Sequence, residues 1–219
     1  MSRRSLELTS AMMLLAYRHG VFPMAETRDS TRLYWLDPKQ RGILPLENFR
    51  LPRRLGRSVL AGRYEVTADA DFPAVIAGCA APAPGRDATW INPQIERIFT
   101  QLHAEGHAHS VESWQDGRLV GGLYGVAIGG AFFGESMFST ARDASKIALA
   151  HLVARLRLGG FALLDTQFVT THLAQFGATE IPRAQYRALL DMAAMLPARW
   201  IAAPDDADLH AQIHTMVAR

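Results

Sequence analysis

The stretch His109–Phe133, HSVESWQDGRLVGGLYGVAIGGAFF, decides the fold. Apolar and β-branched residues fill three segments of this stretch, which are separated by Asp116-Gly117 and Gly129-Gly130. Both dipeptides tolerate the positive φ angles that tight hairpin turns require. The sequence therefore predicts a three-stranded antiparallel meander, with strands at His109–Trp114, Leu119–Ile128 and Ala131–Phe133.

The elements that follow the meander indicate an α+β layer. A helix at Arg142–Leu158 ends at two glycines, and the almost unbroken apolar run Phe161–Val169 is typical of a central strand. A short helix, a strand and a helix complete the series, at Thr171–Phe176, Glu180–Pro182 and Ala184–Met195. This order resembles the N-acetyltransferase-like fold, an antiparallel or mixed sheet with flanking helices.

The part of the chain before the meander is harder to interpret. A helix beginning after Thr9 or Ser10 ends before Gly20, and a second helix begins at Pro93. The loop Ala81–Asp87 carries two prolines and a glycine and is the best candidate boundary. We expect a small N-terminal α+β lobe at residues 1–80 and an acetyltransferase-like catalytic domain at residues 81–219.

Composition excludes several classes of protein. Apolar residues make up 49% and charged residues 20% of the 219 residues, as in ordinary globular proteins, and the formal charge is only +2. Nucleic-acid binding would therefore need a local basic cluster. No apolar run approaches the roughly 20 residues that span a bilayer, and the single cysteine, Cys79, cannot form an internal disulfide. We expect a cytoplasmic protein without membrane contact.

Polar residues interrupt the central strand at Asp165-Thr166-Gln167. On a strand, Asp165 and Gln167 point to the same face about 6–7 Å apart, so that one small polar group could contact both. Burial of a carboxylate can move its pKa into the working range of a base, which makes Asp165 a candidate catalytic residue. An Asp that is buried and hydrogen-bonded for structural reasons fits the pattern equally well.

The segment Gly134–Ser139 offers a second candidate site at the end of the meander. Glu135 supplies a carboxylate, and Ser139 begins a run of hydroxyls and backbone N–H groups at a helix start, which could hold an anion or a ribose. Alternatively, Ser139 or Thr140 is simply a helix cap and Glu135 a solvated charge.

A basic cluster precedes residue 60, and no acidic residue interrupts it from Phe49 to Tyr64. Its density suits the binding of several phosphates, although a solvated arginine face is an equal alternative. The cluster consists of Arg50, Arg53, Arg54 and Arg57.

Three histidines, His103, His107 and His109, suggest a metal site. Gly106 should end the helix before His107, which separates the pair that would otherwise share a helix face. We therefore expect no metal.

Eight short motifs, in this order, resemble the bacterial leucyl/phenylalanyl-tRNA-protein transferases. The resemblance runs from about Leu8 to Trp200. The motifs are Gly20–Pro23, Trp35–Pro38, Thr89–Ile91, Gly106–Ser110, Gly121–Val126, Gly134–Ser139, Ala144–Lys146 and Gly177–Arg183.

The resemblance implies that the protein transfers Leu, Phe or Met from tRNA to a protein beginning with Arg or Lys, which marks that protein for degradation through the N-degron pathway. It implies no cofactor, and we expect a monomer. It also implies that Asp165 and Gln167 are catalytic, and we predict that they orient the attacking amine and help to remove its proton. The tRNA phosphates would bind Arg50, Arg53, Arg54 and Arg57. The aminoacyl-tRNA 3′ end and side chain would lie against Met24, Trp90, Leu123, Phe132, Glu135 and Ser139.

Two residues depart from the family pattern. Met24 stands where most members have a Trp that holds the 3′ adenosine, and Leu123 replaces the usual pocket Met. We expect weaker stacking on the adenine and an altered side-chain preference.

Two other functions remain compatible with the sequence. An acyl-CoA-dependent N-acetyltransferase shares the layer order, and Arg157–Ala162 fits its R-x-x-G-x-A pattern, but this segment ends a helix where a pyrophosphate loop should start one. The other alternative is a non-catalytic module that binds tRNA or N-degrons.

Overall fold

The computed structural model describes residues 8–83 and 88–218. Its centre is a seven-stranded mixed sheet in the order β4-β5-β6-β7-β8-β3-β9, and a separate two-stranded hairpin pairs β1 with β2. The strands are β1 Phe22–Ala25, β2 Leu33–Leu36, β3 Gln40–Ile43, β4 Glu65–Ala68, β5 Ala108–Gln115, β6 Arg118–Ile128, β7 Ala131–Ser139, β8 Leu163–Gln167 and β9 Thr179–Pro182. An α+β class with a mixed sheet is confirmed.

Helices cover both faces of the sheet and enclose two apolar cores. Helix α3 lies against β6 and β7 on one face, and α5 lies against β5 and β6 on the other. The helices are α1 Ser10–Arg18, α2 Arg53–Leu60, α3 Phe72–Ala80, α4 Pro93–Ala104, α5 Ala144–Leu158, α6 Thr171–Ala174, α7 Arg183–Ala194 and α8 Asp206–Met216. None of the helices in the described ranges is long and apolar enough to cross a membrane.

The predicted meander is confirmed, but its third strand continues six residues beyond Phe133, to Ser139. The extension pairs with the glycine-rich half of β6, and the register shifts between Tyr124 and Gly125. A Cβ atom at Gly125 would overlap the carbonyl oxygen of Phe133, so the two strands can approach only because this residue is glycine. Glu135 consequently lies within β7, beyond the predicted end of the third strand at Phe133.

The crossover through α5 places β8 parallel to β7, with Phe133 opposite Asp165. On its other edge β8 pairs antiparallel with β3, where Gly42 lies opposite Gln167. The sheet thus takes β3 and β4 from before residue 80 and its other strands from after residue 88. Residues 84–87 of the predicted boundary loop lie outside the described residues.

Three helices, α2, α3 and α8, were not predicted. Helix α2 buries only two large side chains, Leu55 and Val59, among its arginines. Helix α8 likewise buries only Ile213 and Met216. The apolar stripe of α8 is too short to give a clear helical periodicity. Helices α2 and α8 pack on each other and on α5, whereas α3 packs on β6 and β7.

Candidate active site

A cavity of about 760 Å³ opens where β1, β6, β7, α5 and β8 meet. Its apolar wall includes the side chains of Leu123, Met137, Leu149, Leu152, Leu164 and Leu173. Polar side chains also line it, among them Glu135, Gln167 and Ser139. A larger cleft of about 1020 Å³ lies beyond the β1-β2 hairpin, but it contains none of the residues that the sequence indicated as a site.

The cavity brings together six of the eight residues that the sequence placed at the catalytic and acyl-binding sites. Phe132 is not on the cavity wall, because it is fully buried against Phe161 and stacked on Trp200 with ring centroids 5.7 Å apart. Asp165 is also absent from the wall. The residues that line the cavity are Met24, Trp90, Leu123, Glu135, Ser139 and Gln167.

Asp165 is sealed in a buried ion pair with Arg41. The side chains are 0% and 1% exposed, and Arg41 Nη2 lies 2.6 Å from Asp165 Oδ2 while Nε lies 2.9 Å from Oδ1. The Tyr186 hydroxyl donates a further hydrogen bond of 2.6 Å to Oδ2. The guanidinium itself lies between the rings of Phe22 and Tyr186, 4.4 and 4.6 Å from their centroids. The sequence led us to expect that one small polar group could contact both Asp165 and Gln167. In the structure only Gln167 reaches the cavity, because the carboxylate of Asp165 is buried against Arg41.

Sequence reasoning missed the role of Arg41, which it took only as a basic residue preceding the arginine cluster. Lys39 and Gln40 stand directly before it, so the segment that becomes β3 gave no local sign that this arginine is buried. Burial opposes its charge, but the hydrogen bonds and the negative charge of Asp165 raise the pKa of Arg41 above its usual value. Only the pairing of β3 with β8 brings the two residues together, across 124 positions of the chain.

Gln167 is held at both its backbone and its side chain. The backbone N–H donates a 2.7 Å hydrogen bond to Asp165 Oδ1, and the side-chain Nε2 donates a 2.9 Å hydrogen bond to Glu135 Oε1. Its φ of 61° is in the left-handed region, which costs a non-glycine residue about 1 kcal/mol or more. With one Nε2 N–H donated to Glu135, the side-chain Oε1 is the acceptor that Gln167 can offer to a ligand in the cavity.

Glu135 is a buried carboxyl group with a strongly altered acidity. Burial raises its pKa to about 8, and the charge of Asp165 adds to the increase. The nearby Tyr17 hydroxyl, Arg41 and the amide of Gln167 oppose it. The Tyr17 hydroxyl lies close to Glu135 without meeting the geometry of a hydrogen bond. Such a pKa favours the uncharged form of Glu135 at neutral pH.

The four arginines of the basic cluster lie together on the surface around the start of α2. All four are exposed, and none forms an ion pair with an acidic residue of the described ranges. Helix α2 is held by Leu55 and Val59, and Gly56 packs directly on Val217. Arg50 Nη1 donates hydrogen bonds to the carbonyl oxygens of Glu47 and Phe49. The exposed guanidinium groups of Arg53, Arg54 and Arg57 are accessible to phosphates.

The histidines are engaged elsewhere. His109 Nδ1 lies 2.9 Å from Asp69 Oδ2 and its ring stacks on Trp200, while His103 Nδ1 contacts the carbonyl oxygen of Ala108 at 2.9 Å. Within residues 8–83 and 88–218, no group of three or more Cys, His, Asp or Glu residues is placed to hold a metal.

The R-x-x-G-x-A match lies at the C-terminal end of α5 and in the turn before β8. Arg157 donates a 2.9 Å hydrogen bond from Nε to the carbonyl oxygen of Leu46. The segment therefore starts no helix, and its backbone N–H groups do not form a pyrophosphate site.

Comparison with known proteins identifies relatives along most of the chain. The family model described as leucyl/phenylalanyl-tRNA protein transferase matches residues 43–191, and the model of the N-terminal domain of that protein matches residues 7–39. The chain is 61% identical over 189 residues to the leucyl/phenylalanyl-tRNA--protein transferase of Nitrobacter winogradskyi, covering 86% of this chain and 84% of that one. It is 56% identical over 200 residues to that of Afipia carboxidovorans, covering 91% and 88%. It is 60% identical over 185 residues to that of Caulobacter vibrioides, covering 84% and 85%.

Proposed function

The chain belongs to the leucyl/phenylalanyl-tRNA protein transferase family, and from this membership we infer how the cavity carries out the reaction. The protein is an aminoacyltransferase that moves Leu or Phe from aminoacyl-tRNA to the N-terminus of another protein. We propose that Met is also a donor, that the acceptor begins with Arg or Lys, and that the enzyme acts as a monomer without metal or cofactor. Native mass spectrometry tests the last two points.

The apolar wall of the cavity suits the side chain of the donor. Leu, Phe and Met bury only hydrocarbon, sulfur or aromatic surface, and the six wall residues offer no charged partner. Met24 and Trp90 also line the cavity, where they would contact the terminal adenosine. The exposed arginines around α2 would bind the phosphates of the acceptor arm.

The transfer is the aminolysis of an ester. The acceptor nitrogen attacks the carbonyl carbon, a C–N bond forms, the bond to the ribose oxygen breaks, one proton leaves the nitrogen and one reaches the ribose oxygen. The ester supplies the driving force, so no nucleotide hydrolysis is required. An N-terminal amine has a pKa of about 7.7–8.0, so a useful fraction is already neutral at cellular pH and needs orientation more than strong activation.

The fixed amide of Gln167 carries this proposal. Its Oε1 would accept a hydrogen bond from the attacking amine and stabilise the positive charge that develops on it. Asp165 would act through Gln167, because its carboxylate is occupied by Arg41, Tyr186 and the backbone N–H of Gln167. In this arrangement Asp165 is a positioning residue and does not touch the substrate.

The arrangement of the elements supports an N-acetyltransferase-like fold for the part of the chain from residue 81 onward. An antiparallel meander, the crossover helix α5 and the parallel strand β8 follow one another in the order that the fold requires. The strand β8 then presents its polar end to the cavity, as the proposed reaction demands.

A transfer assay tests the function. Radiolabelled leucyl-tRNA and phenylalanyl-tRNA are incubated with matched peptides that begin with Arg, Lys or Ala, and acetyl-CoA is supplied separately as a donor. We expect labelled product from the peptides with Arg and Lys and none from acetyl-CoA. Acetylated product without aminoacylated product would contradict the proposal. Equal labelling of all three peptides would show that the acceptor need not begin with Arg or Lys.

A further inference from the structure

The C-terminal helix α8 lies outside the part of the chain that the family models match. The matched residues end at 191, and α8 spans Asp206–Met216. Its buried residues Ile213 and Met216 belong to the same apolar core as Leu55 and Val59 of α2. Helix α8 therefore packs on the helix that carries three of the four exposed arginines.

The chain at the end of α8 also pairs with the residue before the start of α2. The N–H of Leu51 donates a 2.7 Å hydrogen bond to the carbonyl oxygen of Met216, and the N–H of Ala218 donates a 2.9 Å hydrogen bond to the carbonyl oxygen of Leu51. Between these two bonds, the side chain of Val217 packs on Gly56 of α2. A Cβ atom at Gly56 would lie 2.8 Å from both Cγ atoms of Val217, so only glycine allows this close approach. The contact sets the distance between α2 and the C-terminal segment.

Helix α2 depends on such contacts because it is short. It has eight residues, and isolated helices of this length are marginal in water. Its N-cap is Pro52, which has no side-chain acceptor for the first backbone N–H groups. Its closely spaced arginines also repel one another. The packing of Leu55 and Val59 must therefore hold the helix, and α8 provides part of the apolar surface for it together with α5.

Arg157 of α5 adds a second link between α8 and the segment that leads into α2. Its Nη1 donates a 3.1 Å hydrogen bond to the hydroxyl oxygen of Thr215 on α8. Its Nε donates a 2.9 Å hydrogen bond to the carbonyl oxygen of Leu46, which lies between β3 and α2. One side chain thus fixes α8 and the approach to α2 to the same helix of the central layer.

We propose that α8 and Val217 position α2 so that its arginines meet the phosphates of tRNA. The inference rests on the proposed function and adds to it a positioning element beyond the part of the chain that the family models match. The charges of α8 agree with this role. Asp206 and Asp208 lie at its start, about 12–15 Å along the axis from the end that contacts α2, which exceeds the screening length of about 8 Å at physiological salt.

A pair of compensating substitutions tests the proposal. Gly56→Ala adds a methyl group at the contact with Val217, and Val217→Ala removes two. Dissociation constants are measured for phenylalanyl-tRNA by filter binding and for a stable analogue of phenylalanyl-adenosine by equilibrium dialysis. The second donor has no acceptor-arm phosphates, so it reports on the cavity without the arginines. The control is His210→Ala, which changes an exposed side chain of α8.

Each single variant should bind phenylalanyl-tRNA more weakly, by roughly 10-fold at 0.1 M salt, as expected for the loss of one phosphate contact. The slope of log K against log salt concentration should become less steep by about one unit. The double variant should be closer to the wild type than either single variant, because the new methyl group fills the space that Val217→Ala leaves. Affinity for the adenosine analogue should not change, and His210→Ala should match the wild type.

Unchanged tRNA affinity and salt slope in Gly56→Ala would overturn the proposal, and so would strictly additive effects in the double variant. Equal weakening of both donors would also overturn it, because it would show a general loss of folded structure. If Gly56→Ala does not fold, Val217→Ala decides the question by the same comparison: weaker binding of tRNA alone supports the proposal, and unchanged binding overturns it. Failure of the proposed function is distinct, since the wild type would then transfer no amino acid from phenylalanyl-tRNA to any peptide.

Discussion

Replacing Arg41 with Met should destabilise the protein more than any surface charge change. The variant keeps most of the side-chain volume but leaves Asp165 buried, at 0% exposure, without the guanidinium that lies 2.6 Å from its Oδ2. Removing one partner of a buried ion pair typically costs about 3–5 kcal/mol. At about 2–4 °C per kcal/mol for a chain of this size, the melting temperature should fall by roughly 10 °C.

Urea denaturation followed by circular dichroism measures the free energy of unfolding. The matched control is Arg187→Met, because Arg187 also donates a 2.6 Å hydrogen bond to an Asp, but its side chain is 51% exposed. That exposed pair should contribute no more than about 1 kcal/mol. The double variant Arg41→Met with Asp165→Asn should be more stable than the sum of the two single effects, by about 0.5–3 kcal/mol, because the uncompensated charge is gone.

Two outcomes would refute this reasoning. The first is a cost for Arg41→Met no larger than that for Arg187→Met, and the second is strict additivity in the double variant. Turnover provides an independent readout. If Arg41 acts by holding Asp165 and thus Gln167, the folded variant should lose kcat with little change in the KM for aminoacyl-tRNA.

Three further predictions concern the site and its supports. Gln167→Ala should lower kcat by about 100-fold, which is the order of magnitude for the loss of one transition-state hydrogen bond. The affinity for aminoacyl-tRNA, measured by filter binding, should stay close to that of the wild type. Unchanged turnover would show that Gln167 has no part in the mechanism. The double variant Arg53→Ala, Arg54→Ala should bind tRNA more weakly. The slope of log K against log salt concentration should become less steep by about one to two units. An unaltered slope would show that the tRNA phosphates bind elsewhere. Burial opposes ionisation of Asp69, but the hydrogen bonds from His109, the Ser110 N–H and Trp200 lower its pKa. Its contribution to stability is therefore present above the unfolded pKa of about 4 and is lost progressively as the pH falls through the lowered folded pKa. Asp69→Asn should therefore be more destabilising at pH 7 than at acidic pH, as thermal denaturation across this range can check.

Sequence features within a few residues of one another were sufficient to predict most of the strands and helices around the site. The two turns with Asp116-Gly117 and Gly129-Gly130 predicted the meander, and all four of these residues except Gly130 adopt positive φ angles. The polar interruption at Asp165 and Gln167 likewise marked β8 as the strand of interest. These features depend on neighbours along the chain, and a single sequence contains that information.

The sequence did not indicate which strands and helices that are distant in the chain would lie next to each other. The continuation of β7 to Ser139 depends on its pairing with the glycine-rich part of β6, and the apolar wall of the cavity combines residues of β6, β7, α5 and β8. Leu149 and Leu152 looked like ordinary core positions of α5, because spacing within a helix shows which side is buried but not whether a ligand or another side chain covers it.

The sequence by itself determined the α+β class, the family and the identity of the strand that carries Asp165 and Gln167. Only the tertiary structure decided what these two residues can do. It pairs Asp165 with Arg41, a residue 124 positions away, and so removes the carboxylate from the cavity. It also directs the amide of Gln167 through the hydrogen bond that Gln167 Nε2 donates to Glu135 Oε1. The physical reason is that the state of a buried charge depends on the partners that surround it in space, and the order of strands in a sheet, not the order of residues in the chain, selects those partners.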